Sequence, residues 1–206
     1  MERGKGNDKE AEHLMGNAFT LLIGTGIVLT IIGLIFYKPI LYLFGASDDT
    51  FPYAGSYIRI YLLGTVFVMV SVGMNPFINS QGFGNTGMIS VLIGAVLNII
   101  LDPIFIFVLN LGVRGAAIAT IISQFCSTVW VLVFLTGKRA VLHLKWSCMW
   151  LRWKRVLRII SLGVSSFIMA FTNSLVQVVC NATLQIYGGD IYVGVMTVLN
   201  SVRDIC

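Results

Sequence analysis

The sequence predicts an all-α polytopic membrane protein, a helical bundle, and three observations lead to that fold class. Only 11% of the 206 residues are charged and 57% are apolar, whereas soluble domains carry about 25% charged residues. Four stretches contain no charge and each has at least the ~20 residues that cross a bilayer. They are residues 14–37, 60–101, 115–137 and 159–189. Lysine and arginine are also concentrated in a few of the polar segments.

The charge-free stretches predict five full helical spans and part of a sixth. The second stretch is long enough for two crossings, and we place its turn at the glycine-rich segment 81–87. We expect the first span to break near Lys38-Pro39, because proline lacks a backbone N–H. The spans run roughly over residues 14–44, 57–80, 88–110, 114–137 and 156–186, with the last beginning near 191. That last span is too short to cross a bilayer, so we expect the chain to be a fragment.

The distribution of positive charge predicts the orientation. Residues 138–158 hold seven Lys or Arg, and the polar segment 1–13 holds three. The loops expected on the opposite side hold only Lys38, Arg59 and Arg114. Because Lys/Arg excess marks the cytoplasmic side, we expect a multi-pass protein of the cell membrane with a cytoplasmic N terminus.

The basic loop has an aromatic pattern of its own. Trp146, Trp150 and Trp153 recur at helical spacing among basic residues. This pattern predicts an interfacial helix, with indoles at headgroup level and the lipid bilayer as its partner. Basic and aromatic residues also occur in nucleic-acid interfaces, but a nucleic-acid partner is not expected in so apolar a chain.

Asp102, followed at once by Pro103, lies inside the third predicted span. A carboxylate at membrane depth costs about 2.5–3.5 kcal/mol on insertion scales, so it usually has a partner or a task. Proline removes a helical N–H and strains the carbonyl four residues earlier. Together they predict an ion site on a disturbed helix.

Helical spacing and depth bring two more polar residues to Asp102. Asn98 precedes it by four residues and shares its helix face. At 1.5 Å per residue, Asp102 lies roughly 12 Å inside the membrane and Thr120, on the next span, roughly 9 Å from the same side. Oxygen ligands with one carboxylate suit Na⁺, or a proton carried on the carboxylate. The alternative is that the three residues only form hydrogen bonds between helices.

The fifth span carries a polar stripe that is a candidate substrate-binding face, with Asn173, Gln177 and Asn181 at helical spacing, and Met169 is a candidate for an adaptable apolar wall of the binding site. Hydrogen bonding between helices is the competing interpretation of the stripe. No nucleophile–base pair, phosphate loop or carboxylate dyad occurs, so we expect neither an enzyme nor a cofactor. The four cysteines form no C-x-x-C pair, and no disulfide is expected.

Two runs of the sequence closely resemble the multidrug and toxic compound extrusion (MATE) family. They are Leu97-Asn-Ile-Ile-Leu-Asp-Pro-Ile-Phe-Ile-Phe and Leu111-Gly-Val-Arg-Gly-Ala-Ala-Ile-Ala-Thr-Ile-Ile-Ser-Gln124. Arg3-Gly-Lys-Gly, Gly16-Asn-Ala and Leu43-Phe-Gly-Ala-Ser47 add to the resemblance, which covers nearly the whole chain. Members of that family are twelve-helix, cation-coupled exporters built from two six-helix lobes.

The resemblance implies a partial two-lobe fold that contains helices three to seven and part of the eighth. Residues 14–137 would then be four helices of the N-lobe, 138–158 the cytoplasmic linker, and 159–206 the start of the C-lobe. It also assigns the family's N-lobe cation site to Asn98, Asp102 and Thr120, without the acidic residue that the family supplies from its first helix. The implied function is Na⁺- or H⁺-coupled antiport of organic cationic drugs and other xenobiotics, by alternating access.

Two alternatives remain open at this stage. A lipid-linked oligosaccharide flippase of the wider superfamily would also be a two-lobe carrier, but it should line its cavity with Arg or Lys. A truncated chain lacking the remainder of the transporter could instead be inactive and serve as a structural or interfering membrane protein.

Overall fold

The computed structural model describes residues 7–205, apart from the side chains of residues 190 and 201–205. Arg3 and Lys5, which contribute to the predicted orientation and resemblance, lie outside the described residues. Helix α1 (Asp8–Leu43) begins where the side chain of Asn7 accepts a hydrogen bond from the Glu10 N–H. The predicted break near Lys38-Pro39 is wrong, because α1 continues through Pro39 to Leu43. The missing proline N–H removes one hydrogen bond, and the helix has only about one turn left to form beyond Pro39.

The second predicted span, 57–80, is broken rather than continuous. Helices α2 (Phe51–Leu63) and α3 (Thr65–Ser80) meet at Gly64 with a bend of 56°. A Cβ at Gly64 would lie 2.7 Å from Cγ1 of Ile121, so the absence of a side chain lets the bend pack against a neighbouring helix. The Thr30 hydroxyl donates to the Leu62 carbonyl at 3.0 Å, satisfying a group at the break.

The next two helices form the hairpin that contains Asp102. Helix α4 (Gly84–Pro103) continues into a π-helical turn, Ile104–Val108, and α5 runs over Val113–Thr136. Gly112 reverses the chain with a φ of 54°, in the region that favours glycine. The prediction of a disturbed helix after Asp102 is confirmed, and its cause is the proline that interrupts the regular hydrogen-bond ladder.

The core lies between α1, α3 and α5, near the end of the bundle that meets the linker. Its fully buried side chains are Met15, Met74, Ile78, Val131 and Leu135. Most large apolar side chains elsewhere on the helices are exposed, as expected where lipid rather than protein is the neighbour. Among the described residues, four helices are long and apolar enough to cross a membrane, or five if α2 and α3 are counted as one bent span, which agrees with the predicted fold class.

The predicted interfacial helix over Trp146–Trp153 is wrong. Only Trp146–Cys148 forms a short 3-10 turn, and Trp153 instead opens the next helix. The linker lacks a longer helix because distant side chains take up its backbone groups. Gln81 Oε1 accepts from the N–H groups of Val141 and Leu142, at 2.9 Å each. The three indoles are highly exposed, and their contact with lipid headgroups stays a prediction.

Asn17 on α1 is the main anchor of the linker. Its Nδ2 donates to the carbonyls of Cys148 at 3.1 Å and Trp150 at 3.2 Å, and its Oδ1 accepts from the Arg152 N–H at 2.9 Å. The neighbouring Gly16 has no room for a side chain, because a Cβ there would lie 2.5 Å from the Cys148 carbonyl oxygen. The sequence pattern missed this attachment between α1 and the linker.

Two ion pairs add to this attachment. Lys145 Nζ lies 2.8 Å from Glu12 Oε2, and this hydrogen bond raises the pKa of the lysine above its usual value. Arg155 binds both oxygens of Glu10, at 2.8 and 2.7 Å. The start of α1, the turn at Gln81 and the basic linker therefore lie at one end of the bundle, as the predicted arrangement of loops requires.

Helix α6 (Trp153–Ile205) contacts α1 at its start, and farther along it Asn181 lies close to Gly45, just after the end of α1. The regular conformation of α6 is interrupted at Gly189, where φ is 68° and ψ is −168°. The break separates a long apolar part, Trp153–Gly189, from a shorter one, Ile191–Asn200, close to where the last span was expected to begin. Nearly all side chains described on α6 are exposed or half-buried.

Candidate functional site in the α4–α5 hairpin

The structure brings together the three residues predicted for the ion site. Asn98 Nδ2 donates to Asp102 Oδ1 at 3.2 Å and to Thr120 Oγ1 at 3.3 Å. Thr120 Oγ1 donates in turn to the Ala116 carbonyl at 2.9 Å. All three residues are half-buried. The Asn98 amide thus connects the carboxylate of α4 to α5.

The backbone around this site is tightly packed. A Cβ at Gly115, near the start of α5, would lie 2.5 Å from the carbonyl oxygen of Phe105 in the π-helical turn. Glycine therefore lets the two helices approach each other immediately beyond Asp102. The turn and this close approach hold the carboxylate side of the site in position relative to Thr120.

A cavity of about 490 Å³ begins at Asn98 and Thr120 and lies between α3, α4 and α5. We call it the α3–α5 cavity; Asp102 itself does not line it. Its polar side chains are all uncharged: Ser71, Asn75, Ser90, Asn98, Thr120, Ser123, Gln124 and Ser127. The carboxylate of Asp102 lies one helical turn from Asn98, at the edge of this uncharged region.

Hydrogen bonds between helices organise the polar wall. Asn75 Nδ2 donates to Ser90 Oγ at 2.7 Å, and Ser127 Oγ donates to the Ser90 carbonyl at 2.6 Å. Ser71 Oγ donates to Gln124 Oε1 at 3.2 Å. The sequence prediction did not include these residues, although Asn75 and Asn79, like Ser123 and Ser127, are polar pairs four residues apart within spans. That spacing was a usable signal.

The site suits a hard monovalent cation or a proton, since its groups are a carboxylate, an amide and a hydroxyl. Among the described residues, no three His, Cys, Asp or Glu side chains come together in a way that could hold a metal ion. Asn98 now donates to the carboxylate, and rotating its amide by half a turn would present the carbonyl oxygen instead. Nitrogen and oxygen of an amide are exchanged by such a rotation.

The structure separates the four predicted substrate-binding residues. Asn173 and Gln177 line a second cavity, of about 340 Å³, together with Met196 and Asn200 beyond the break at Gly189. Met169 and Asn181 do not line that cavity. The polar stripe of α6 therefore faces the last helical segment over part of its length.

These features define a class of protein, a polytopic helical membrane protein with a half-buried carboxylate bridged to the next helix. A family model described as MatE matches residues 2–104, half of the sequence. The chain belongs to the MatE family.

Curated relatives agree with this assignment. The multidrug export protein MepA of Staphylococcus haemolyticus is 30% identical over 163 residues, which are 79% of this chain and 36% of that protein. MepA of Staphylococcus aureus is 27% identical over 166 residues, which are 81% and 37% of the two chains. The chain thus spans little more than a third of the length of these relatives.

Solved structures share the fold. An inward-facing multidrug resistance MATE family transporter of the MOP superfamily has a TM-score of 0.89 at 24% identity, with 95% of this chain and 45% of that chain covered. A MOP superfamily transporter from Pyrococcus furiosus has a TM-score of 0.85 at 25% identity, with 98% and 45% covered. The arrangement of α1–α6 is therefore that of roughly half of a MATE transporter.

Proposed function

We propose that this chain forms the ion-coupled part of a multidrug exporter that works by alternating access. The observation that carries the proposal is the Asn98 amide, 3.2 Å from Asp102 Oδ1 and 3.3 Å from Thr120 Oγ1. A coupling ion, Na⁺ or H⁺, would bind at these three residues. Ionisable residues within membrane spans commonly mark ion pathways, and carriers of this kind often place them beside broken helices.

The coupling chemistry follows from the single carboxylate. A proton and a Na⁺ ion would compete for the same carboxylate oxygens, so one site could use either ion. Binding either ion neutralises Asp102, changes the hydrogen bond from Asn98 and so alters the contact between α4 and α5. In this proposal, that change favours one orientation of the exporter over the other.

The proposed substrates are small organic cations, because the relatives named above are multidrug export proteins. Candidate contacts are the exposed polar face at Asn173 and Gln177, with Met169 and Asn181 near it on α6. In this proposal the protein lies in the cell membrane with its N terminus and basic linker in the cytoplasm, as the Lys/Arg distribution favours. A second lobe would complete the exporter.

Asp102→Asn in the complete exporter tests the proposal, since it removes the charge at nearly constant shape. We expect ion-driven efflux of a fluorescent cationic dye from cells to fall to background, with unchanged protein in the membrane. Asp49→Asn, in the loop between α1 and α2, is the matched control and should retain efflux. Normal efflux in Asp102→Asn would refute coupling at this site.

The flippase alternative makes a different prediction about the α3–α5 cavity. A carrier of an anionic lipid-linked sugar should place Lys or Arg there, but none of the residues lining this cavity is basic. Its neutral wall therefore lacks the positive charge that an anionic substrate would require. The inactive-fragment alternative is tested by expressing this chain alone in the same efflux assay, because an inactive chain would give no dye efflux even with Asp102 intact.

A further inference from the structure

A groove between the start of α4 and the end of α5 has no role in the proposed transport cycle. It has a volume of about 640 Å³ and lies near the linker. Its apolar walls are formed by Phe83, Ile89, Trp130, Val133 and Phe134. We call it the α4–α5 groove.

The groove opens toward the surroundings of the helix bundle. The Phe83 and Phe134 rings pack edge to face, with their centroids 5.1 Å apart. Val133 is 63% exposed, and Trp130 and Ile89 are close to 40% exposed. An apolar channel of this kind on a membrane-spanning surface suits a hydrocarbon chain.

Positive charge is concentrated at the mouth of the groove. Lys138 and Arg139 directly follow the end of α5 and line the groove, and both are exposed. Within the part of the chain that the structure describes, neither side chain forms an ion pair, whereas Lys145 and Arg155 bind Glu12 and Glu10. These two cations are thus available to an anion from outside the bundle.

The first turn of α4 adds to the positive potential. Phe83 precedes this helix and provides no side-chain cap, and Thr86 of the first turn lines the groove. Unsatisfied N–H groups at a helix N terminus attract anions. A phosphate at the mouth would therefore meet two basic side chains and a helix N terminus.

We propose that the α4–α5 groove binds an anionic phospholipid. One acyl chain lies along Ile89, Trp130 and Val133, and the phosphate lies between Lys138 and Arg139 beside the start of α4. Charge complementarity selects this occupant, because a zwitterionic headgroup adds a cation that the same two residues repel. The proposal requires only that the helices lie in a membrane, so it is independent of ion coupling at Asp102.

Quenching of Trp130 fluorescence by brominated lipids measures occupancy of the groove. The purified chain carries Trp146→Phe, Trp150→Phe and Trp153→Phe, all at highly exposed positions, so that Trp130 is the sole indole. It is reconstituted in vesicles of phosphatidylcholine and phosphatidylglycerol at a fixed ratio. Two samples are compared, in which the bromine is carried either on the phosphatidylcholine or on the phosphatidylglycerol. The total amount of brominated lipid is the same in both. We expect brominated phosphatidylglycerol to quench Trp130 more strongly.

The double variant Lys138→Gln/Arg139→Gln should reduce this preference by about five-fold or more, since a basic residue near an anionic surface contributes about 1 kcal/mol. The matched control, Arg152→Gln/Lys154→Gln, removes the same charge from the linker and should retain the preference. Native mass spectrometry of retained phosphatidylglycerol, with circular dichroism as a check on folding, gives a second measurement.

Three results would overturn the proposal. Equal quenching by the two lipids would show no headgroup selection. Equal losses in both double variants would indicate a diffuse effect of the basic linker rather than a site. Absence of quenching by either lipid in the folded protein would mean that a protein segment covers the groove.

Discussion

Helices α5 and α6 are both long and apolar, but they handle their polar side chains differently. In the most apolar stretch of α5, about a third of the residues are buried, whereas in the most apolar stretch of α6 no residue is buried. On α5, Ser127 donates to the Ser90 carbonyl of α4, and Thr128 to the Phe67 carbonyl of α3. On α6, Thr172 and Thr183 donate to carbonyls four residues earlier in their own helix. Polar groups thus join helices within the α1–α5 bundle, whereas α6 satisfies its hydroxyls locally.

The largest effect should come from Asn17→Ala, at the junction of the bundle and the linker. Asn17 is fully buried, and its loss leaves the Cys148 and Trp150 carbonyls and the Arg152 N–H without that partner. An unsatisfied buried group costs about 1–3 kcal/mol, and the partly buried groups of Trp150 and Arg152 add less, so we expect a total of about 3 kcal/mol. Thermal unfolding in detergent measures the change, and proteolysis within the linker should become faster.

The exposed Asn173 of α6 provides the matched control for Asn17. Asn173→Ala should change the stability by less than about 0.5 kcal/mol, as is usual for surface substitutions. Similar losses for the two alanine variants would contradict the contrast between the bundle and α6.

An intermediate effect is expected for Gly115→Ala, which adds a methyl group against the Phe105 carbonyl. Overpacking costs about 1–3 kcal/mol, and the shift of α5 should also weaken ion binding at Asn98, Asp102 and Thr120. Thermal unfolding measures the stability, and Na⁺-dependent changes in the carboxylate infrared band measure ion binding.

Gly163 on α6 provides the matched control. A Cβ there meets no atom within 4 Å, so Gly163→Ala should be neutral or stabilising by up to about 1 kcal/mol. Stability unchanged by Gly115→Ala would argue against the close approach of the two helices.

The smallest effect should come from the ion pair that joins α1 to α6. Arg155→Gln removes both contacts with Glu10, whose side chain is 30% exposed against 13% for Arg155. We expect a loss of about 1 kcal/mol or less at low salt, and less at high salt because ions screen the pair. Hydrogen exchange in the first turns of α6 reports the loss. Lys154→Gln is the control, because it removes the same charge from a side chain that forms no ion pair in the described structure, and it should leave hydrogen exchange there unchanged. Equal changes in hydrogen exchange for the two variants would assign the effect to net charge.

The sequence predicted those parts of the molecule that depend on residues close together in the chain. Asn98 and Asp102 are one helical turn apart, and Thr120 follows on the next helix of the same hairpin, so periodicity and depth were sufficient. The bend at Gly64 was not predictable in this way, because it depends on contact with Ile121. The helix assigned to the tryptophans was wrong for a similar reason. Its backbone groups bind Asn17, which is far from the linker in sequence.

The attachment of the linker has a consequence for assembly. Since Asn17 and Glu10 hold the chain on both sides of Trp153, helix α6 begins from an immobilised start rather than from a flexible tether. Ordering a backbone residue costs about 1–2 kcal/mol of conformational entropy, and here the contacts with α1 already order the start of α6. A segment that packs against α6 therefore meets a helix already held at its origin, and its association loses correspondingly less entropy.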